Sequence, residues 1–261
     1  MLLENKNAVI YGAGGSIGSV VAKAFALEGA TVHLTGRTRA KLDEVAKDIA
    51  ATGGRAEVAV VDALDERAVD EHARAMAAQG GIDVSLNLIS RGDVHGIPLA
   101  EMTTADVVGP ITTGITTNLI TARAAARHMI PQGSGVILAL NSGSAQGSPM
   151  MGGTGPADAA IDTFIRNLAM EVGPAGIRVL GIWTAGLPET MSREKLAAVN
   201  SDLDLDEAAF QGLLANLAQM RMLRRSPSLA DVAATAVFLA SDQARSITAT
   251  FVNVTSGIFA S

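Results

Sequence analysis

Glycines at positions 12, 14, 15 and 18, within "YGAGGSIG", form the densest chemical signal in the chain. Residues without side chains let a backbone turn sharply and approach a bound group. A helix opening at Ser16, Ile17 and Gly18 would add free N–H groups and the positive end of its dipole. Together these make a phosphate cradle; the alternative is a turn that only packs a strand against a helix. About twenty residues beyond the glycines, a carboxylate would hold the two ribose hydroxyls of NAD(H). The chain reads "LTGRTR" there, with Gly36 and Arg37 in its place. A guanidinium fork without a competing carboxylate suits a 2′-phosphate, so NADP(H) is preferred and NAD(H) is the alternative. Read plainly, Arg37 with Arg39 and Lys41 is a solvated charge at a helix start.

Two further groups could do chemistry. Ser142 closes the apolar run "GVILALNS" at the edge where ligands gather in an open parallel sheet, although it could equally be a turn residue of "NSGSAQGS". His95, in "SRGDVHGIP" with Arg91 and Asp93, is the one imidazole placed to reach that edge, and a surface histidine is the plain alternative. The chain has no cysteine, and His33, His72, His95 and His128 are far apart without ligand spacing, so no metal is expected. A net charge of −6 with interspersed signs leaves no basic stripe, which argues against nucleic acid. No apolar run reaches the eighteen or so residues that span a membrane, and "MLLENKNAVIYG" does not read as a signal peptide; the expectation is a cytoplasmic protein.

These residues need a scaffold, and the sequence supplies one. Short aliphatic runs at 7–12, 31–36, 56–62, 83–90, 135–142, 177–184 and 248–255 alternate with helical patterns such as "RAKLDEVAKDIAATGG". Alternation of this kind predicts an α/β fold: a doubly wound, Rossmann-like parallel sheet of seven strands with helices on both faces. Residues 1–261 read as a single domain, interrupted at 188–225 by a segment with no strand candidate. There Asp204 and Glu207 give a capping signal before an amphipathic run, so the segment is expected to be a helical lid or, failing that, surface packing.

The chain resembles the short-chain dehydrogenase/reductase family nearly end to end. Besides the glycine turn, "VVDALD", "IDVSLNLIS", "TARAAARHM", "LAMEVGPAGIRVLGI" and "PSLADVAATAVFLASDQARSITATFVNVTSG" are close to family phrasing. The resemblance implies that Asp62 contacts adenine and that Asn87 is the residue kept from the family's Asn-Asn-Ala-Gly stretch. It makes Thr190, in "WTAGLPET", a contact to the nicotinamide carboxamide. It further implies a homo-oligomer, dimer or tetramer, and a small-molecule substrate.

The resemblance also implies a reaction centre of Ser, Tyr and Lys with an Asn from the preceding helix. Ser142 keeps the Ser position, while Thr154, Asp158 and Gly114 stand at the Tyr, Lys and Asn positions. No other register restores the pair, because Tyr11 is the sole tyrosine and no lysine lies between Lys47 and Lys195. A threonine hydroxyl cannot be tuned into a general acid near neutral pH as a phenol can. Thr154 and Asp158, four apart, are expected to pair with each other, and Asp158 could accept from ribose hydroxyls. The expected activity is therefore oxidoreductase-like towards a small apolar carbonyl or alcohol, but weak or altered. Ser142 would polarise the substrate, and a proton would come from water, His95 or Asp158. An inactive nucleotide-binding subunit and a non-redox isomerase, hydratase or cyclase are the alternatives. Met150, Met151, Trp183, Leu187 and Met191 are read as pocket wall or as core.

Overall fold

The computed structural model describes residues 1–199 and 204–260. Seven strands form one parallel sheet in the order β3-β2-β1-β4-β5-β6-β7. They are β1 (Asn7–Tyr11), β2 (Thr31–Gly36), β3 (Arg55–Val60), β4 (Val84–Asn87), β5 (Gly135–Asn141), β6 (Ile177–Trp183) and β7 (Phe251–Asn253). All seven sequence runs are strands, and most are one to a few residues shorter than the runs, because the polar residues at their carboxyl ends turn away into loops.

Every strand but the edge ones is covered on both faces, so its side chains alternate between two apolar layers. Ile10, Leu34, Leu86, Leu138 and Leu180 pack with α1 (Ser16–Leu27) and α8 (Leu229–Ala240). Val9, Tyr11, Ile137, Val179 and Trp183 pack with α3 (Glu66–Gln79), α4 (Thr104–Gln132) and α5 (Thr154–Val172). The second helix, α2 (Arg39–Ala51), lies against β3. The sheet order reverses between β1 and β4, which opens a crevice at the strand carboxyl ends, and the sequence-predicted site residues lie on its rim.

The described residues of 188–225 include α6 (Arg193–Val199) and α7 (Glu207–Gln219). The cap of α7 is Asp206 rather than Asp204: its side chain accepts from Ala209 N at 2.8 Å. The hydrogen-bonding position is set by where the helix starts, and Asp206 stands immediately before Glu207. Arg221, fully buried just beyond α7, donates to the carbonyls of Leu217, Ala185, Gly186 and Thr255, which ties this segment to the loop after β6. Among the described residues no helix is long and apolar enough to cross a membrane, and no cluster of metal-ligating side chains occurs.

Candidate functional site

The glycine turn is shaped by contacts that admit no side chain. At Gly12, φ is +87° and a Cβ would stand 2.6 Å from Leu88 O; at Gly18 a Cβ would run into the Gly12 carbonyl. Gly12 N and Ala13 N both donate to Thr35 O at 3.0 Å, pinning the turn to β2. Gly15 precedes α1 and supplies no side-chain cap, so the first N–H groups of the helix face the crevice free to bind an anion.

Two cavities share Gly15 and Arg91 and together make one long cleft. The first, of about 600 Å³, is lined by Gly12, Gly14, Gly36, Arg37, Lys41 and Asp62. Its basic side chains, Arg37 and Lys41, follow the end of β2. Asp62 accepts from Leu64 N at 3.0 Å, which shapes the turn after β3. The second, of about 380 Å³, is lined by Ser16, Ile17, Gly18, Asn87, Ser142 and Thr190, with Arg91, Asp93, Asn118, Asn141 and Thr184. Asn87 is braced inside the protein: its amide donates to Thr121 Oγ1 (3.1 Å) and its carbonyl accepts from Ile89 N (3.0 Å). Thr190 donates to Leu187 O at 2.9 Å.

Thr154 and Asp158 begin α5 and do not pair with each other. Thr154 Oγ1 donates to Asp93 Oδ1 at 2.8 Å and lies 2.9 Å from His95 Nε2. With the threonine proton on the carboxylate, His95 must be the donor to Thr154, which assigns its proton to Nε2. Asp158 is fully buried. One oxygen takes Arg91 Nη1 at 2.7 Å; the other takes Ser142 Oγ (2.6 Å), Ser142 N (3.1 Å) and Ser144 N (2.9 Å). The expected i,i+4 pair is absent because each side chain finds a stronger partner across the site: a carboxylate for the hydroxyl, a guanidinium for the carboxylate. Nor are the Asp158 oxygens open to ribose hydroxyls, since protein donors already surround them.

Arg91 joins the two halves of this network. Its Nε reaches Asp93 Oδ2 at 3.3 Å while Nη1 holds Asp158. Burial disfavours the guanidinium charge, but Asp93 and Asp158 outweigh it and hold the group above its ordinary range. The side chain reaches Asp158 only because Gly114 has none: a Cβ there would meet Arg91 Cδ at 2.8 Å. Gly114, Thr154 and Asp158, read singly in the sequence, thus form one connected arrangement with Arg91. His95 is pushed below its ordinary pKa, chiefly by burial and further by Arg91, against the opposing pull of Asp93. It is therefore neutral at pH 7.

Sequence reasoning missed Asn141 and Thr184. Asn141 Nδ2 donates to Asp162 Oδ1 at 2.8 Å, which leaves Oδ1 without a partner, and Thr184 Oγ1 likewise has none. Both are buried and both line the second cavity. Unpaired buried polar atoms mark where a ligand or water completes the hydrogen bonding. The signal for them was positional only: each is the last polar residue at the end of its strand. Trp183 is core, stacked on Phe251, and Leu187 is buried, whereas Met150 is exposed. Tyr11, the sole tyrosine, lies under the sheet, where burial and Asp70 push its pKa up, far from any role as the missing phenol.

Residues 12–258 match the family model described as enoyl-(acyl carrier protein) reductase. The chain is 32% identical to gluconate 5-dehydrogenase of Gluconobacter oxydans over 75% of its length and 76% of that protein. It is 31% identical to L-rhamnose 1-dehydrogenase (NAD(P)(+)) of Azotobacter vinelandii over 99% and 98% of the two chains. Among solved structures, a short-chain alcohol dehydrogenase from Sinorhizobium meliloti superposes with a TM-score of 0.82 at 27% identity, covering 98% of this chain and 97% of the other.

Proposed function

The chain belongs to the short-chain dehydrogenase/reductase family of oxidoreductases, and we propose that it binds NADP(H) in preference to NAD(H) and acts slowly on a small, mostly apolar carbonyl or alcohol. The residues fit a dinucleotide. The free N–H groups at Ser16, Ile17 and Gly18 would take the pyrophosphate, and Arg37 with Lys41 would take a 2′-phosphate. Thr190 and the unpaired Thr184 hydroxyl would hold the carboxamide. The cofactor supplies or accepts hydride when bound; everything else must come from the chain.

The observation that carries the reading of slow turnover is the commitment of Ser142 and Asp158 to each other. A serine has one proton, and at 2.6 Å from an acceptor-only carboxylate that proton is not available to a carbonyl oxygen. Asp158 is closed off by Arg91 and two backbone N–H groups, so it is not the proton source either. The donor that reaches Thr154, at the position the resemblance gives the family's phenol, is His95. During reduction the threonine proton would swing from Asp93 to the substrate oxygen and be replaced from His95 Nε2, while water returns a proton to Nδ1 so that the ring stays neutral. A neutral imidazole is a poor acid, which makes this path slow at pH 7.

Titrating NADPH and NADH by nicotinamide fluorescence, then following nicotinamide absorbance across a panel of ketones and alcohols, tests this. Tighter binding of NADPH, with low turnover that Thr154→Val abolishes, is expected. Absence of nucleotide binding at millimolar concentration overturns the reading. Tight binding without any turnover favours the second reading, a nucleotide-binding subunit or a non-redox enzyme, to which the same Ser142–Asp158 contact points. Homo-oligomerisation is proposed on the exposed apolar side chains Val108, Leu119 and Ile130 of α4, Met170 of α5 and Phe238 of α8.

A further inference from the structure

Recognition of a ketone needs donors aimed at its oxygen; the Ser142 and Thr154 hydroxyls and two N–H groups of Arg91 are committed elsewhere, and the open Thr184 hydroxyl is the one the nucleotide reading assigns to the carboxamide. Ser142 Oγ gives its proton to Asp158, Thr154 Oγ1 to Asp93, and Arg91 gives Nε and Nη1 to the same two carboxylates. Asn118 Nδ2 is likewise held, by Gly114 O at 2.9 Å. Acceptors are what face the cavity. Asp93 lines it with 19% of its side chain exposed, and Asn141 Oδ1, 98% buried by residue, has no partner at all. Two carboxylates against one guanidinium leave an excess negative charge, which the neutral His95 does not offset.

We propose that this centre binds a small organic cation, an iminium or ammonium group on a mostly apolar body, with Asp93 as the counter-charge. The inference rests on the nucleotide-binding reading for its chemistry but not for the binding itself. It also accounts for a missing phenol. When an iminium is reduced, hydride from NADPH forms the new C–H bond, the C=N π pair becomes the nitrogen lone pair, and NADP⁺ is left; no proton is consumed. A ketone becomes an alkoxide that must be protonated, so it depends on the slow Thr154–His95 proton path, which an iminium does not need. Gly114 is part of the arrangement, since a larger residue would displace Arg91 from Asp158 and leave the second carboxylate without its guanidinium.

Calorimetric titration of the full chain with N-methyl-3,4-dihydroisoquinolinium and with 1-tetralone, its neutral near-isostere, in the absence and presence of NADP⁺, tests the binding. The cation is expected to bind at least tenfold tighter than the ketone. Asp93→Asn, nearly isosteric, is expected to remove that preference while leaving NADPH affinity unchanged. With NADPH, reduction of the iminium above the enzyme-free rate is expected to exceed reduction of the ketone at least tenfold in kcat/KM. Equal or tighter binding of 1-tetralone, or a cation preference that survives Asp93→Asn, overturns the proposal. Cation binding without any NADPH binding upholds this site and overturns the nucleotide reading; NADPH binding without cation preference does the reverse.

Discussion

The two halves of the cleft are built by different means. The half around Gly12–Gly18 and Arg37 works mainly through backbone: N–H groups at the start of α1, a turn pinned to Thr35 O, and glycines that let the chain close in. The half around Ser142, Thr154 and Asp158 is built from side chains that hydrogen-bond one another across three segments of the chain. A cation from the loop after β4, Arg91, pairs with Asp158 of α5, and the space it crosses is open at Gly114. Backbone recognition tolerates little substitution because the turn itself is the binding surface. Side-chain recognition can be rebuilt when several positions change together, with consequences for the chemistry.

This contrast can be strained at three points. The largest effect is expected at Arg91. Arg91→Met leaves Asp158 buried without its cation, and a loss of about 3–5 kcal/mol in unfolding free energy is expected by chemical denaturation. Adding Asp158→Asn should recover a large part of it. Stability unchanged by Arg91→Met would mean that the side-chain half is not held together as described. Next, Gly18→Ala drives a Cβ into the Gly12 carbonyl. A loss of roughly a hundredfold in NADPH affinity, about 2.7 kcal/mol, is expected by fluorescence titration with the circular dichroism spectrum retained. Retained affinity would show that the turn is only a packing device. The smallest effect is expected at Arg37, an accessible charge: Arg37→Glu should lower the NADPH to NADH affinity ratio about tenfold, near 1.4 kcal/mol. An unchanged ratio would remove Arg37 from the account of selectivity.

The strands and their faces were legible because a parallel sheet buried on both sides demands short aliphatic runs, and few other structures produce seven of them between helical patterns. The cap of α7 was misplaced by two residues, since aspartates recur at 202, 204 and 206 before the helix and only Asp206 sits next to its first turn. At the site, position was legible but partnership was not. Thr154 and Asp158 stand one turn apart on α5, a spacing that suggested a pair. The partners they took, Asp93 with His95 and Arg91 with Ser142, lie 61, 59, 67 and 16 residues away in sequence. Asn141 and Thr184 gave only a positional sign, because an unpaired polar atom is defined by what does not surround it.

Residue types alone determined that no phenol or ammonium could stand at positions 154 and 158, that the strand before the first helix ends in a turn open to phosphate, and that Arg37 follows β2 where a carboxylate would favour NAD(H). Counting and local periodicity suffice for such statements. Tertiary structure alone decided which charges meet. It placed a guanidinium from one loop, a glycine from α4 and a carboxylate from α5 within one hydrogen-bonding distance of agreement, and so turned Ser142 from a donor for substrate into a donor for Asp158. Hydrogen bonds act over about 3 Å, and no sequence separation encodes a contact of that length between segments the fold brings together.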